Sequence, residues 1–136
     1  MEAVTRRHLE DALCGEAMAA LRYALFADRA REDGFDDIAE LFREIGDEER
    51  REHYREIAEL LDLVGTTPQN LESSLAGEVT EHRRLYPQYA GEARQAGDEA
   101  IAEQFIELGE DEHRHAERLR GALAATEALA GAGRTG

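Results

Sequence analysis

Residues 101–122 read IAEQFIELGEDEHRHAERLRGA, and this stretch decides the fold. Ile101, Phe105, Leu108, Glu112, His115, Leu119 and Ala122 recur at steps of four and three, the spacing of one buried helix face. Glu112 and His115 stand where such a face needs leucine. Left unpaired, ionisable groups there would be strongly destabilising. Glutamate also interrupts the apolar stripes of three other segments. Four helices that carry carboxylates and imidazoles inward describe a metal site, with two irons the best fit.

Working outward, the composition agrees with an all-helical domain. The chain has 136 residues, only two prolines (Pro68 and Pro87), and abundant Glu, Ala, Leu and Arg. A formal net charge of −15 argues against nucleic acid and anionic membranes as partners. Most of the 31 acids read as a solvated surface. The single Cys14 excludes an internal disulfide or a CxxC knuckle and reads as a small core residue. Met1 to Arg7 lacks an apolar signal core, and no apolar run approaches membrane-spanning length. A cytoplasmic protein is the expectation.

Four amphipathic helices are predicted. The first covers about residues 5–32, with the stripe Leu9, Leu13, Glu16, Ala20, Tyr23, Ala27, and stops at Gly34. The second starts at an N-cap, Asp36, and reaches about Val64 before Gly65. Its stripe is Ile38, Phe42, Ile45, Glu49, then His53, Ile57, Leu61. Thr67-Pro68 opens the third, with Leu71, Leu75, Glu78, Glu81, Leu85, Tyr86 and Tyr89, and Pro87 should kink it. The fourth runs from the N-cap Asp98 to about Ala130. The domain is thus residues 1–130, as hairpins 5–64 and 67–130, and residues 131–136 read as a flexible tail.

The chain repeats itself. Gly34, Phe42 and Glu49 are separated by eight and seven residues, as are Gly97, Phe105 and Glu112; Gly15-Glu16 with Tyr23 likewise matches Gly77-Glu78 with Tyr86. Two copies of one hairpin therefore face each other across a pseudo-twofold axis, each bringing its own ligands. One irregularity breaks the match. Glu112 and His115 are three apart, whereas Glu49 and His53 are four apart, and the copies realign downstream. A single π-turn would absorb the extra residue and keep His53 facing inward; a regular helix would turn Glu52 inward instead.

A lone Glu-x-x-His pair says little in a chain so rich in glutamate, and Glu110 with His113 is such a match. The repeat assigns the role to Glu112 and His115. His8 and His82 read as solvated or as supporting groups. The informative signal is the set: Glu16 and Glu78 from two helices, and Glu49–His53 and Glu112–His115 from the others. That is the ligand plan of di-iron and di-manganese carboxylate bundles. Carboxylates with imidazole suit iron, or manganese as second choice, over a soft metal. Glu81 adds a fifth carboxylate, suited to the extra charge of oxidised metal. Tyr23 and Tyr86 lie on the ligand faces and are candidates to bond the ligand carboxylates.

The run Ala76-Gly77-Glu78-Val79-Thr80-Glu81-His82 leading into Leu85-Tyr86-Pro87 resembles the third helix of the rubrerythrin family. Gly15-Glu16 with Tyr23, and Glu112 with His115, resemble its first and fourth helices. The resemblance spans Leu9 to Leu123 and implies a ferritin-like four-helix bundle with a non-haem di-iron centre and hydrogen peroxide reductase activity. It implies that Glu49 and Glu112 bridge the irons, that Glu16 with His53 or Glu81 serves one, and that Glu78 with His115 serves the other. The first iron would move between His53 and Glu81 as its oxidation state changes. The rubredoxin domain of longer members is missing from this sequence, so a separate donor protein, rubredoxin-like or other, is expected to supply electrons. A ferroxidase is the alternative within metal chemistry, and a non-catalytic metal-binding bundle the alternative of another class. In such a fold the second helix ends and the third begins at opposite ends, and a four-step link cannot span a bundle. A domain-swapped homodimer is therefore expected.

Overall fold

The computed structural model describes residues 1–132, and among them there is no strand. It divides into two compact units, Met1–Val64 and Gly65–Gly136, each a helical hairpin. In the first unit α1 is Ala3–Glu32, and α2 (residues 36–60) joins Asp36–Glu48, a π-turn Glu49–His53, and Tyr54–Leu60. In the second, α3 (residues 67–96) joins Thr67–Thr80, a π-turn Glu81–Leu85, and Tyr86–Ala96, while α4 is Glu99–Ala132. Gly131 and Ala132, expected in a tail, continue α4; residues 133–136 lie outside the described residues. No helix is long and apolar enough to cross a membrane among the described residues.

The helix ends follow local chemistry. At Gly34, with φ of 83°, the Phe35 and Gly34 amides donate back to Ala30 and Arg31 carbonyls. Gly97, with φ of 87°, repeats the pattern with Asp98 and Gly97 donating to Ala93 and Arg94. Only glycine takes this left-handed turn without strain. The second helix departs from expectation. It stops at Leu60, short of Val64, because Asp62 rather than Gly65 adopts the left-handed turn, with φ of 52°. The Asp62 and Leu63 amides donate to Glu59 and Ala58 in the same way. Aspartate tolerates that conformation through its short polar side chain. Asp36 and Thr67 also prove to be first helical residues, one step inside the caps at Phe35 and Thr66. The Thr66 amide donates to Gln69 Oε1 at 2.9 Å, and Pro68 occupies the first turn, where its missing N–H costs nothing.

Within each hairpin one packing motif repeats. Tyr23 stacks on Phe42 with ring centres 5.8 Å apart, and Tyr86 meets Phe105 at 6.2 Å. Beneath each tyrosine the facing helix carries a glycine. A Cβ on Gly46 would stand 3.3 Å from Tyr23 Cβ, and one on Gly109 would stand 3.2 Å from Tyr86 Cβ. Among the described residues, the hydrophobic ones that the hairpins bury are all alanines: Ala27, Ala30, Ala39, Ala58, Ala90, Ala102 and Ala116. No large apolar side chain is fully buried among the described residues. Each hairpin thus builds a close backbone contact and leaves its larger apolar groups partly open. Cys14, expected in the core, is exposed on α1. It lies two residues before Glu16, about 160° around the helix from the inward face.

The π-turn in α2 sits between Glu49 and His53, where the repeat places the surplus residue. The π-turn in α3 was not expected. Pro87 was the expected cause of irregularity there, but the shift occupies Glu81–Leu85, immediately before it. The signal was present in the spacing: Glu16 to Tyr23 is seven residues, while Glu78 to Tyr86 is eight. The second copy carries one residue more in α3, and a π-turn takes it up without turning Tyr86 off Gly109.

Candidate metal centre

Each hairpin gathers one cluster. In the first, Glu16 from α1 meets Glu49 and His53 from α2, with one ligand atom of each within 4.8 Å of the others. In the second, Glu78 from α3 meets Glu112 and His115 from α4 within the same limit. The detailed contacts are parallel. His53 Nδ1 is 2.7 Å from Glu49 Oε2 and 3.7 Å from Glu16 Oε2. His115 Nδ1 is 2.8 Å from Glu112 Oε2 and 3.4 Å from Glu78 Oε2. The π-turn lets a four-residue step do in α2 what a three-residue step does in α4. Glu52 is exposed and outside the cluster.

The electrostatics are also paired. The proton shared with Glu49, burial, and the Glu49 charge hold Glu16 above the ordinary carboxylate range. Glu49 is pulled below it by the Glu16 proton and by His53. Glu78 is raised by Glu112 and burial, while Glu112 is lowered by Glu78 and His115. Glu49 raises His53 in turn. Each site therefore holds two carboxylates that cannot both ionise freely without a compensating cation. Glu78 Oε2 is buried and has no hydrogen-bond partner. A buried carboxylate oxygen left bare is costly, and a metal ion would satisfy it. The donor set, carboxylate with imidazole and no thiolate, fits iron or manganese.

The other residues singled out from the sequence are placed less directly. Glu81 is half-buried at the first position of the α3 π-turn and belongs to neither cluster. Tyr23 and Tyr86 are half-buried against Phe42 and Phe105. Burial, followed by the charges of Glu112 and Glu81, raises the Tyr86 phenol, which therefore keeps its proton at neutral pH. His8 is exposed on α1. His82 lies against α4, with its Nδ1 2.8 Å from the Gly109 carbonyl and its ring stacked on His113. Periodicity along one helix cannot reveal that meeting, because it does not say what a neighbouring helix presents.

Comparison with known proteins agrees with this geometry. The family described as Rubrerythrin matches residues 8–62 and 48–123. A rubrerythrin of Porphyromonas gingivalis is 32% identical over 136 aligned residues, covering 90% of this chain and 68% of that protein. A rubrerythrin of Nitratidesulfovibrio vulgaris is 33% identical, with 85% of this chain and 66% of that protein covered. A putative rubrerythrin of Methanocaldococcus jannaschii is also 33% identical, covering 85% of this chain and 67% of that protein. The chain thus spans about two thirds of the length of these relatives. Helical hairpins, paired glutamate–histidine clusters and this similarity agree: the chain belongs to the rubrerythrin family, di-iron proteins with a ferritin-like helical bundle.

Proposed function

We propose that this protein is a non-haem di-iron hydrogen peroxide reductase that draws its electrons from a donor protein. The observation that carries this reading is the pair of Glu-Glu-His clusters, each holding a carboxylate whose proton a cation would displace. Glu16, Glu49, His53, Glu78, Glu112 and His115 would hold the two irons. Glu81 is the further carboxylate within the same helix as Glu78, available when oxidation raises the metal charge. Two ferrous ions held there would supply one electron each, enough to reduce one peroxide, with two protons, to two waters. The protein's own work is to hold and orient the clusters. His53 and His115 turn Nδ1 toward the carboxylates, and each is held there by one glutamate oxygen at 2.7 and 2.8 Å. Tyr86 retains a phenolic proton beside the acidic groups that raise it.

The large apolar side chains that each hairpin leaves partly exposed call for a facing surface. We propose that a first hairpin and a second hairpin cover each other, with the two drawn from different chains of a dimer. Stopped-flow oxidation of the diferrous protein tests the activity. Oxidation by peroxide should outpace oxidation by oxygen at least tenfold. The reverse order, with continued turnover of added ferrous ion, would establish a ferroxidase. Metal binding without oxidation by either would leave a non-catalytic bundle.

A further inference from the structure

The second hairpin carries two overlapping Glu-x-x-His pairs on α4, Glu112–His115 and Glu110–His113, and the proposed di-iron chemistry uses only one. At 100° per residue, His113 and Glu110 lie about 100° and 160° around the helix from Glu112, on a separate face. Read from the chain alone, that second pair is a chance match. The structure puts a third group beside it. The π-turn of α3 brings His82 against α4, where its ring stacks on His113 with centres 4.7 Å apart and planes 27° from parallel. His82 and Glu110 also line one cavity of about 300 Å3, with Tyr86 and Phe105 among its walls and His113 outside it; Arg94, also in the wall, is paired with Glu99 at 3.0 Å.

The tautomer of His82 is fixed by its partner. A carbonyl oxygen only accepts, so His82 Nδ1 carries the proton it gives to Gly109 at 2.8 Å. Nε2 is left with an unused lone pair. A ring nitrogen pinned by a backbone carbonyl is how proteins orient histidines that bind metal. The first hairpin provides an internal control. Sixty-three residues earlier, the positions of Glu110 and His113 hold Asp47 and Arg50, which form an ion pair at 3.0 Å. That hairpin has a cavity of similar size, about 310 Å3, with the Asp47–Arg50 pair in its wall, so a guanidinium already meets the carboxylate there. The second hairpin has replaced the arginine with an imidazole and added another.

We propose that His82, His113 and Glu110 form a second metal site, on a different face of α4 from Glu112 and His115, for a divalent transition ion. Two imidazoles and one carboxylate suit zinc, or iron in its ferrous state. Glu110 and His113 are both exposed and free to turn, and closing the set around an ion exchanges the His82–His113 stack for two coordinated nitrogens.

Zinc counting tests it. The iron-loaded protein is titrated with Zn2+, desalted, and its zinc and iron are measured per chain, beside His113→Asn, Glu110→Gln and Asp47→Asn. The parent and Asp47→Asn should each hold one zinc more per chain than His113→Asn and Glu110→Gln, at equal iron. Each of the two affected variants should bind that zinc at least tenfold more weakly. Because the comparison is a difference, it stands whatever occupies the core clusters. The three substituted side chains are exposed, so the variants should fold, which circular dichroism checks. Equal zinc in parent and His113→Asn, retention by Glu110→Gln, or a matching loss in Asp47→Asn would overturn the site.

Discussion

At the scale of the residue, the carboxylate pairs set how the protein should respond to substitution and to pH. Glu112 is held ionised by Glu78 and His115, whereas Glu110 lies on another face. Glu112→Ala should therefore lose most of the core iron and Glu110→Ala should keep it, as measured by iron content after desalting. Equal losses from both variants would contradict a core site built on Glu112. For pH, protons and metal compete for the same atoms. Glu16 and Glu78 are raised above their ordinary 4.5, and His53 above its ordinary 6.5. A raised pKa means that the proton returns at a higher pH, so metal should be expelled as the solution is acidified. Loss should set in as His53 takes up its proton and deepen as Glu16 and Glu78 follow. Iron retained on dialysis below pH 4 would contradict this. The convergence of these side chains was readable from helical spacing, because ionisable groups on an inward apolar stripe must find partners and the matching stripes supply them. The exposure of Cys14 was not, since a lone small residue fits a core or a surface equally well.

At the scale of the element, glycines and π-turns decide how closely the helices pack. A methyl group on Gly109 would stand 3.2 Å from Tyr86 Cβ, so Tyr86, tied to its backbone there, would have to give by a few tenths of an ångström. Overpacking costs about 1–3 kcal/mol, against about 1 kcal/mol gained in helix propensity. Gly109→Ala should therefore destabilise the protein by roughly 1 kcal/mol. Gly121, on the same helix, has nothing within 4 Å of a built Cβ. Gly121→Ala should stabilise by about 1 kcal/mol. Urea melts of the two variants should move in opposite directions; shifts of the same sign would refute the close contact at Tyr86. The π-turn in α2 could be read from the sequence because two copies of one motif disagreed by one residue. The α3 turn carried the same arithmetic, but Pro87 offered a competing local cause and hid it. The stop at Asp62 was hidden differently. Glycine is the usual left-handed residue, Gly65 stood nearby, and nothing in a single sequence says that aspartate will take the turn first.

At the scale of the whole molecule, the link between hairpins bears on how chains associate. With α2 ending at Leu60, the helical paths from His53 to Leu60 and from Thr67 to Glu78 total about 27 Å. The seven steps between reach about 25 Å when fully drawn out. The gap is narrower than a helix reaching Val64 would leave, so the link length alone does not force exchange. The link is not drawn out, however. Asp62 and Leu63 fold back onto Glu59 and Ala58, and Gly65 exchanges bonds with Asn70 at 2.8 and 3.0 Å. Under the proposed exchange between chains those bonds would be kept, whereas a link drawn out to close one chain on itself would lose them. Complementation should reveal it. Glu16→Ala/Glu49→Ala and Glu78→Ala/Glu112→Ala chains, refolded together, should regain one intact di-metal site per mixed dimer. Mixed dimers with no such site would exclude exchange.

The alanine-only burial of the hairpins has a consequence for the birth of the protein. The first hairpin leaves the ribosome with Leu21 and Leu25 about 70% exposed and its larger side chains without a complete cover. At about 5–20 residues per second, the second hairpin follows only after roughly 4–14 s. During that interval a nascent chain displays an adhesive surface to every neighbour on the same messenger. Adjacent ribosomes would then supply the complementary halves, and the crowding of a polysome, rather than dilute encounter afterwards, would favour the pairing of chains.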